Sequence, residues 1–181
     1  MKIFLSRLAL LLFLNLLAFG VSATAQTPTS VYTSLEEKSC KTIRLDRESE
    51  SSVQSCPGIA GYKLLVEEGD LRSSVTVIAP DGKKHELDYW TVVTSAFSSL
   101  GAKAEWRAVK KAGKAVPIAL IVRVNASEDP DNPNKITSYL AVAKITRDKI
   151  CVTDKIKPGA TQNAEARRAA DSSATRKCLE P

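Results

Sequence analysis

Histidine, methionine and aromatic side chains are scarce in this 181-residue chain, which holds one His, one Met and 6% Phe, Trp and Tyr. A lone histidine excludes multi-histidine zinc sites within one chain. The nucleophilic serine patterns Gly-x-Ser-x-Gly and Ser-x-x-Lys are missing after residue 25. Phosphate-cradling loops are missing too: Gly82-Lys83 and Gly113-Lys114 lack the upstream glycine of a P-loop, and Gly-x-Gly-x-x-Gly does not occur. Nucleotide-dependent chemistry is therefore disfavoured, and no cofactor or metal is expected. The net charge of +6 contains no block of five or six like charges, so no nucleic-acid footprint is indicated. Patterned apolar runs argue against disorder of the whole chain.

Beyond residue 25 the longest apolar run is Ala115 to Val122, far short of the roughly 20 residues a membrane helix needs, so no transmembrane segment is expected there. Residues 1–25 read as a signal peptide. Lys2 and Arg7 precede a Leu-rich stretch from Leu8 to Phe19, and Ala23-Thr24-Ala25 supplies a small-residue cleavage site. No Cys stands at that junction to receive a lipid. Cleavage leaves residues 26–181, one domain by length, and lowers the net charge from +6 to +4 by removing those two cations. Periplasmic or secreted localisation follows.

Four cysteines, Cys40, Cys56, Cys151 and Cys178, all follow the leader. An even number in an exported chain signals disulfides rather than a metal site, and no Cys-x-x-Cys occurs. Three pairings are possible; Cys40–Cys56 and Cys151–Cys178 are favoured because short loops close readily.

Gln26 to Ser30 reads as a loose arm, Val31 to Leu35 as the start of the fold, and the polar Lys41 to Ser55 segment as a surface loop. Alternation then marks strands. Tyr62, Leu64 and Val66 form one, and Val75, Val77 and Ala79 its antiparallel partner across a Gly69-Asp70 turn. Pro80-Asp81-Gly82 turns into a short strand, Lys84 to Leu87. Val93, Phe97 and Leu100 have helical spacing, with Thr91 as cap and Gly101 as stop, predicting a short helix over Thr91 to Leu100; its Val and Thr content opposes that reading. Further strands are expected at Ala104 to Ala108, Val116 to Val124, Ile136 to Ile145 and Lys149 to Ile156. Ile118 to Val122 is apolar on both faces and so should be central. The Ala-rich stretch from Thr161 to about Ser173 reads as a C-terminal helix. The expected fold class is α+β, a disulfide-stapled antiparallel β-meander of six to seven strands with one or two short helices.

Candidate chemistry is sparse. His85, between Lys84 and Glu86, reads as a solvated strand residue. Glu67 and Glu68, adjacent on a strand, point to opposite faces and do not converge. The oxygen-rich Glu128 to Asn134 segment departs from calcium-loop spacing and reads as a polar hairpin connection. Asn125-Ala126-Ser127 matches a glycosylation acceptor, relevant only in a eukaryotic secretory route. Tyr89, Trp90, Trp106 and Arg107 form the one cluster above background, since aromatics with Arg are what binding hot spots use. Its structural alternative is strong for Trp106, which alternates with Ala104 and Ala108.

The stretches Gly61 to Leu65, Ala79 to Gly82, Phe97 to Gly101 with Ala104 to Arg107, and Gln162 to Arg167 resemble small exported bacterial proteins of unknown function. The resemblance implies a bacterial periplasm and no particular activity. The sequence thus suggests an exported, soluble binding or accessory protein of the cell envelope, with an unknown envelope or extracellular ligand or protein as partner. Enzymatic activity stays open in the form of a small hydrolase with a carboxylate and hydroxyl site, and a secreted enzyme inhibitor is a further alternative. Mass spectrometry of the exported protein should find Gln26, free or cyclised, at the N-terminus; retention of Met1 would refute cleavage at Ala25.

Overall fold

Ten antiparallel strands make two five-stranded sheets in the computed structural model, which describes residues 26–180. The signal-peptide expectation for 1–25 lies outside the described residues. The first sheet joins β1 (Thr29–Ser34), β7 (Phe97–Lys111), β8 (Lys114–Ser127), β9 (Ile136–Ile145) and β10 (Ile150–Ile156), in that order. The second is a meander of β2 (Lys41–Asp46), β3 (Ser51–Pro57), β4 (Lys63–Gly69), β5 (Arg72–Ile78) and β6 (Lys84–Glu86). A single turn, α1 (Tyr89–Val92), links the sheets, and α2 (Gln162–Asp171) follows the last strand. The expected meander is therefore two meanders, with β1 returning to the edge of the one it does not precede.

The layers follow from side-chain alternation. Leu64, Val66, Val75 and Val77 of the second sheet face Trp106, Leu120, Val122, Val124 and Ala141 of the first in one continuous core. The outer face of the first sheet, with Ala119, Ile121, Leu140 and Val142, is covered by Ala166, Ala169 and Ala170 of α2. Burial of each large aliphatic side chain contributes about 1.5–3 kcal/mol. Ala119 to Val122 are at most 3% exposed, as a central strand covered on both sides requires. A ten-residue helix is marginal by itself. Its stability comes from lying on this apolar strip, where small alanines permit close approach.

Two expectations are corrected. The Lys41 to Ser55 segment is the β2–β3 hairpin rather than a loop. As an edge strand, β2 is solvated throughout, so its sequence lacks the apolar alternation by which strands are recognised. The predicted Thr91–Leu100 helix exists only as α1, and Phe97 to Leu100 pairs with Ser127 to Val124. Its β-branched residues disfavour a helix, and β8 satisfies the backbone instead. Gly101 is no helix stop. A Cβ there would lie 2.8 Å from the Cβ of Arg123, inside the irregularity between Leu100 and Ala104. The three N-terminal strands account for the excess over the seven expected.

The disulfides are Cys40–Cys56 and Cys151–Cys178, pairings suited to an oxidising compartment, periplasmic or extracellular. No helix among the described residues is long and apolar enough to cross a membrane. Cys151–Cys178 anchors the tail to β10, beside a hydrogen bond from Leu179 N to Val152 O of 2.8 Å. The bridges close chain separations of 16 and 27 residues. Replacing Cys151 and Cys178 together by Ser should lower unfolding stability by about 3 kcal/mol in the chain-entropy account, read as a lower urea midpoint. An unchanged midpoint would show that the tail is held without the bridge.

Candidate functional site

Trp106 and Arg107 are neighbours on β7, and successive strand residues point to opposite faces. Trp106 enters the core with 0% exposure. Its indole Nε1 donates to Thr33 Oγ1 at 2.9 Å, and Tyr62 lies against it with ring centroids 6.0 Å apart. Arg107 emerges on the other face, under α2. Tyr89 is likewise buried, 1% exposed, and loss of solvent pushes its phenol far up. Only Trp90 reaches solvent appreciably, at 37%. The structure does not bring the four predicted binding residues to one surface, because strand alternation and the core separate them.

Arg107 instead anchors a polar network. Its Nε and one terminal nitrogen donate to the two carboxylate oxygens of Asp171 at 2.7 and 2.9 Å. The remaining contacts reach back to Ser30 Oγ of β1 (2.6 Å) and the Pro28 carbonyl just before it (2.7 Å). The end of the Gln26 to Ser30 segment, expected as a loose arm, is thus paired and held. Ser30 donates onward to Glu105, which also accepts from Arg167 Nε at 2.6 Å. Burial alone raises the Glu105 carboxyl. Hydrogen bonds from Arg167 and Ser30, with the Arg167 and Arg107 charges, outweigh it and hold the carboxyl below its ordinary value.

The sequence reading passed over an apolar cleft at one end of the sandwich. It is about 380 Å³ in volume and lies where the β4–β5 turn meets the start of β7, the end of β8 and the start of β9. Leu71, Phe97 and Ile136 line it while remaining 68%, 50% and 51% exposed. The Arg72 guanidinium lies 5.6 Å from the Phe97 ring centroid, within cation–π range. Asp70 pairs with the same guanidinium, and Arg72 Nε donates to the Ser95 carbonyl at 2.9 Å. Asp70 and Leu71 both have positive φ, 48° and 55°, as a two-residue hairpin turn requires. For leucine that conformation is costly. It is held by a hydrogen bond from Ser98 N to Leu71 O. The Ser98 hydroxyl, also lining the cleft, is buried without a hydrogen-bond partner among the described residues. Glu50 and Glu68 add negative charge to the wall. The faint sequence signal for this site was the Gly69-Asp70 turn followed by Leu71, an apolar residue at a hairpin tip.

Of the remaining candidates, Glu68 and the Asn125 and Ser127 of the glycosylation pattern border the cleft, and the others sit apart from both features. His85 lies half-buried on edge strand β6 opposite Val77, less solvated than expected because this register directs it toward the inner face. Glu67 accepts from Thr76 and Glu68 from Ser52. In the Glu128 segment, Glu128 accepts from Thr94 (3.0 Å) and Tyr139 (2.7 Å). Desolvation and that carboxylate push the Tyr139 phenol up to about 12. Asp129 accepts from the backbone of Asp131 and Asn132 and from Lys135. Among the described residues no group of three His, Cys, Asp or Glu side chains could hold a metal ion. No protein-family model, curated protein or solved structure matches the chain.

Arg107→Met should destabilise the fold by about 2–4 kcal/mol, since it leaves Asp171 and Ser30 without their buried partner. Asp171→Asn should cost less, Asp171 being 31% exposed. Because the Glu105 carboxyl is held low, its stabilisation is present above the ordinary glutamate range and is lost as pH falls through its folded value. Denaturant titrations between about pH 5 and pH 3 should therefore fall less steeply for Glu105→Gln than for the parent chain. Equal slopes would show that Glu105 is not part of the acid response.

Proposed function

We propose that the chain is an exported, soluble binding or accessory protein of the cell envelope, and that its binding surface is the cleft between Leu71, Phe97 and Ile136. The observation that carries this reading is the convergence of three exposed apolar side chains on a concave site, with Leu71 held there at positive φ. The hairpin turn sets the backbone of Leu71, but a leucine side chain at a solvated turn gains nothing for the core, so its choice over a residue suited to positive φ is unexplained by folding alone. Scattered apolar residues on a surface are ordinary; a contiguous concave group is a mark of association.

The hot-spot chemistry expected at Trp106 and Arg107 passes to Phe97 and Arg72, where a ring and a guanidinium are both accessible. The occupant proposed is an apolar side chain of a partner protein, inserted between Leu71, Phe97 and Ile136. Glu50 and Glu68 favour basic residues flanking that side chain, through electrostatic complementarity at the rim.

A photo-crosslinking amino acid at position 97, in protein exported by growing cells, should yield a discrete adduct that the same group at Lys110 does not. For the partner so identified, Phe97→Ala and Leu71→Ser should each weaken binding by about 1–2 kcal/mol with the fold intact. Trp90→Ala should have little effect. Equal labelling at positions 97 and 110, or loss of binding with Trp90→Ala alone, would overturn this assignment.

A further inference from the structure

A second concavity lies beside α2, on the sheet face opposite the main core, with a volume of about 260 Å³. The buried Ile121 and Leu140 form its floor and the half-exposed Tyr32 ring its apolar surface; Lys103, Arg123 and Arg167 bring three cations to it, against the single carboxylate of Glu105. That carboxylate is already engaged by Arg167 through both oxygens, at 2.6 and 3.3 Å. No ion pair reaches Lys103 or Arg123 among the described residues.

An inventory of donors locates the unmet demand. Arg123 donates only to neutral oxygens: Ser138 at 2.8 Å and Gln162 at 3.2 Å from one terminal nitrogen, Asn163 at 3.3 Å from the other. These bonds fix the guanidinium without neutralising it. A guanidinium carries five N–H donors, so its Nε–H and one N–H of the second terminal nitrogen remain. Arg167 spends Nε and one terminal nitrogen on Glu105 and on the Tyr32 hydroxyl, which leaves its other terminal nitrogen. Lys103 adds three donors on a flexible stem. Fixed guanidinium donors beside a mobile ammonium suit an oxyanion, and charge-assisted hydrogen bonds are the strong ones. The half-exposed Tyr32 ring at the rim, over a floor of the buried Ile121 and Leu140, suits a carbon skeleton attached to that oxyanion.

We infer that this concavity is a binding site for a small organic anion, its carboxylate or phosphate held by Lys103, Arg123 and Arg167 and its apolar portion resting on the Tyr32 ring. The site stands independently of the Phe97 cleft. The two sites share strands β7, β8 and β9 but no lining residue, so either assignment can fail alone.

The test is an amide-resolved NMR titration of the disulfide-intact protein at low salt with phenyl phosphate, benzoate, inorganic phosphate and benzyl alcohol. At least one of the two aromatic anions should bind about tenfold or more tightly than both inorganic phosphate and benzyl alcohol, with shifts centred on Lys103, Ile121 and Asn163. The tighter of the two identifies the oxyanion class. Lys103→Met, at a solvated position, should weaken that binding by about tenfold while the spectrum stays that of a folded protein. Lys110→Met, which removes the same charge elsewhere, and Phe97→Ala should leave it unchanged. Benzyl alcohol or inorganic phosphate binding as tightly as the aromatic anions would overturn the inference, as would equal losses in Lys103→Met and Lys110→Met or shifts centred elsewhere.

Discussion

The guanidinium of Arg107 is the constraint on which the arrangement of layers depends. An arginine 7% exposed beneath a helix is tolerable only if its donors are satisfied. Here Asp171 of α2, Ser30 of β1 and the Pro28 carbonyl together take four hydrogen bonds from it. Those acceptors come from the two ends of the described chain, and the donor comes from the middle of β7. One side chain therefore requires the N-terminal strand, the central sheet and the C-terminal helix to be assembled at once. Removing it would leave a partly solvated carboxylate, a hydroxyl and the Pro28 carbonyl without their shared donor, and the penalty for breaking such a pair exceeds the net benefit of having it. The network extends through Ser30 and Glu105 to Arg167, so the helix is oriented as well as held. Cys151–Cys178 acts in parallel on the segment beyond α2.

That clamp also shapes the concavity beside α2. With α2 locked over Ile121 and Leu140, the space between the start of the helix and the edge of the sheet is left partly filled. The side chains bordering it belong to the clamp or to its neighbours. Glu105 is consumed by Arg167, and the surplus of cations there is a by-product of how the helix is fastened. The apolar cleft at the other site depends on the two meanders ending together: the β4–β5 turn reaches across to the start of β7, and the Ser98 amide hydrogen-bonds to the Leu71 carbonyl. Both sites sit on rigid strands and tight turns, an arrangement that keeps donors and apolar groups in place before anything binds.

Much of the strand architecture was legible in the residues themselves. Ile136 to Ile145 stands where alternation placed it, and the apolar run through Ile118 to Val122 is the central strand because only a strand covered on both sides has no need of a polar face. The C-terminal helix and both disulfides were readable for similarly local reasons: alanine spacing in one case, loop length and compartment in the other. The N-terminal strands were not legible. β2 is wet on both faces and carries no alternation, and β1 pairs with residues 69 to 79 positions away. The Val93, Phe97 and Leu100 spacing misled because the three residues belong to different elements: Val93 ends α1, while Phe97 and Leu100 lie in β7, where β8 supplies the backbone partners.

The candidate sites divide along the same line. Sequence alone determined the export expectation, the cysteine framework, the poverty in histidine and phosphate-loop chemistry, and the alternating faces of each strand, since each depends on composition or on neighbours a few positions apart. Alternation already implied that Trp106 and Arg107 point opposite ways, although their adjacency suggested one surface. Only the tertiary structure decided that Leu71 meets Phe97 and Ile136, and that Lys103, Arg123 and Arg167 share one concavity. Those meetings depend on which edge β1 joins, how the two sheets stack and where the helix lies. They are set by long-range pairing and by the need to satisfy a buried guanidinium, neither of which leaves a periodic trace in the chain.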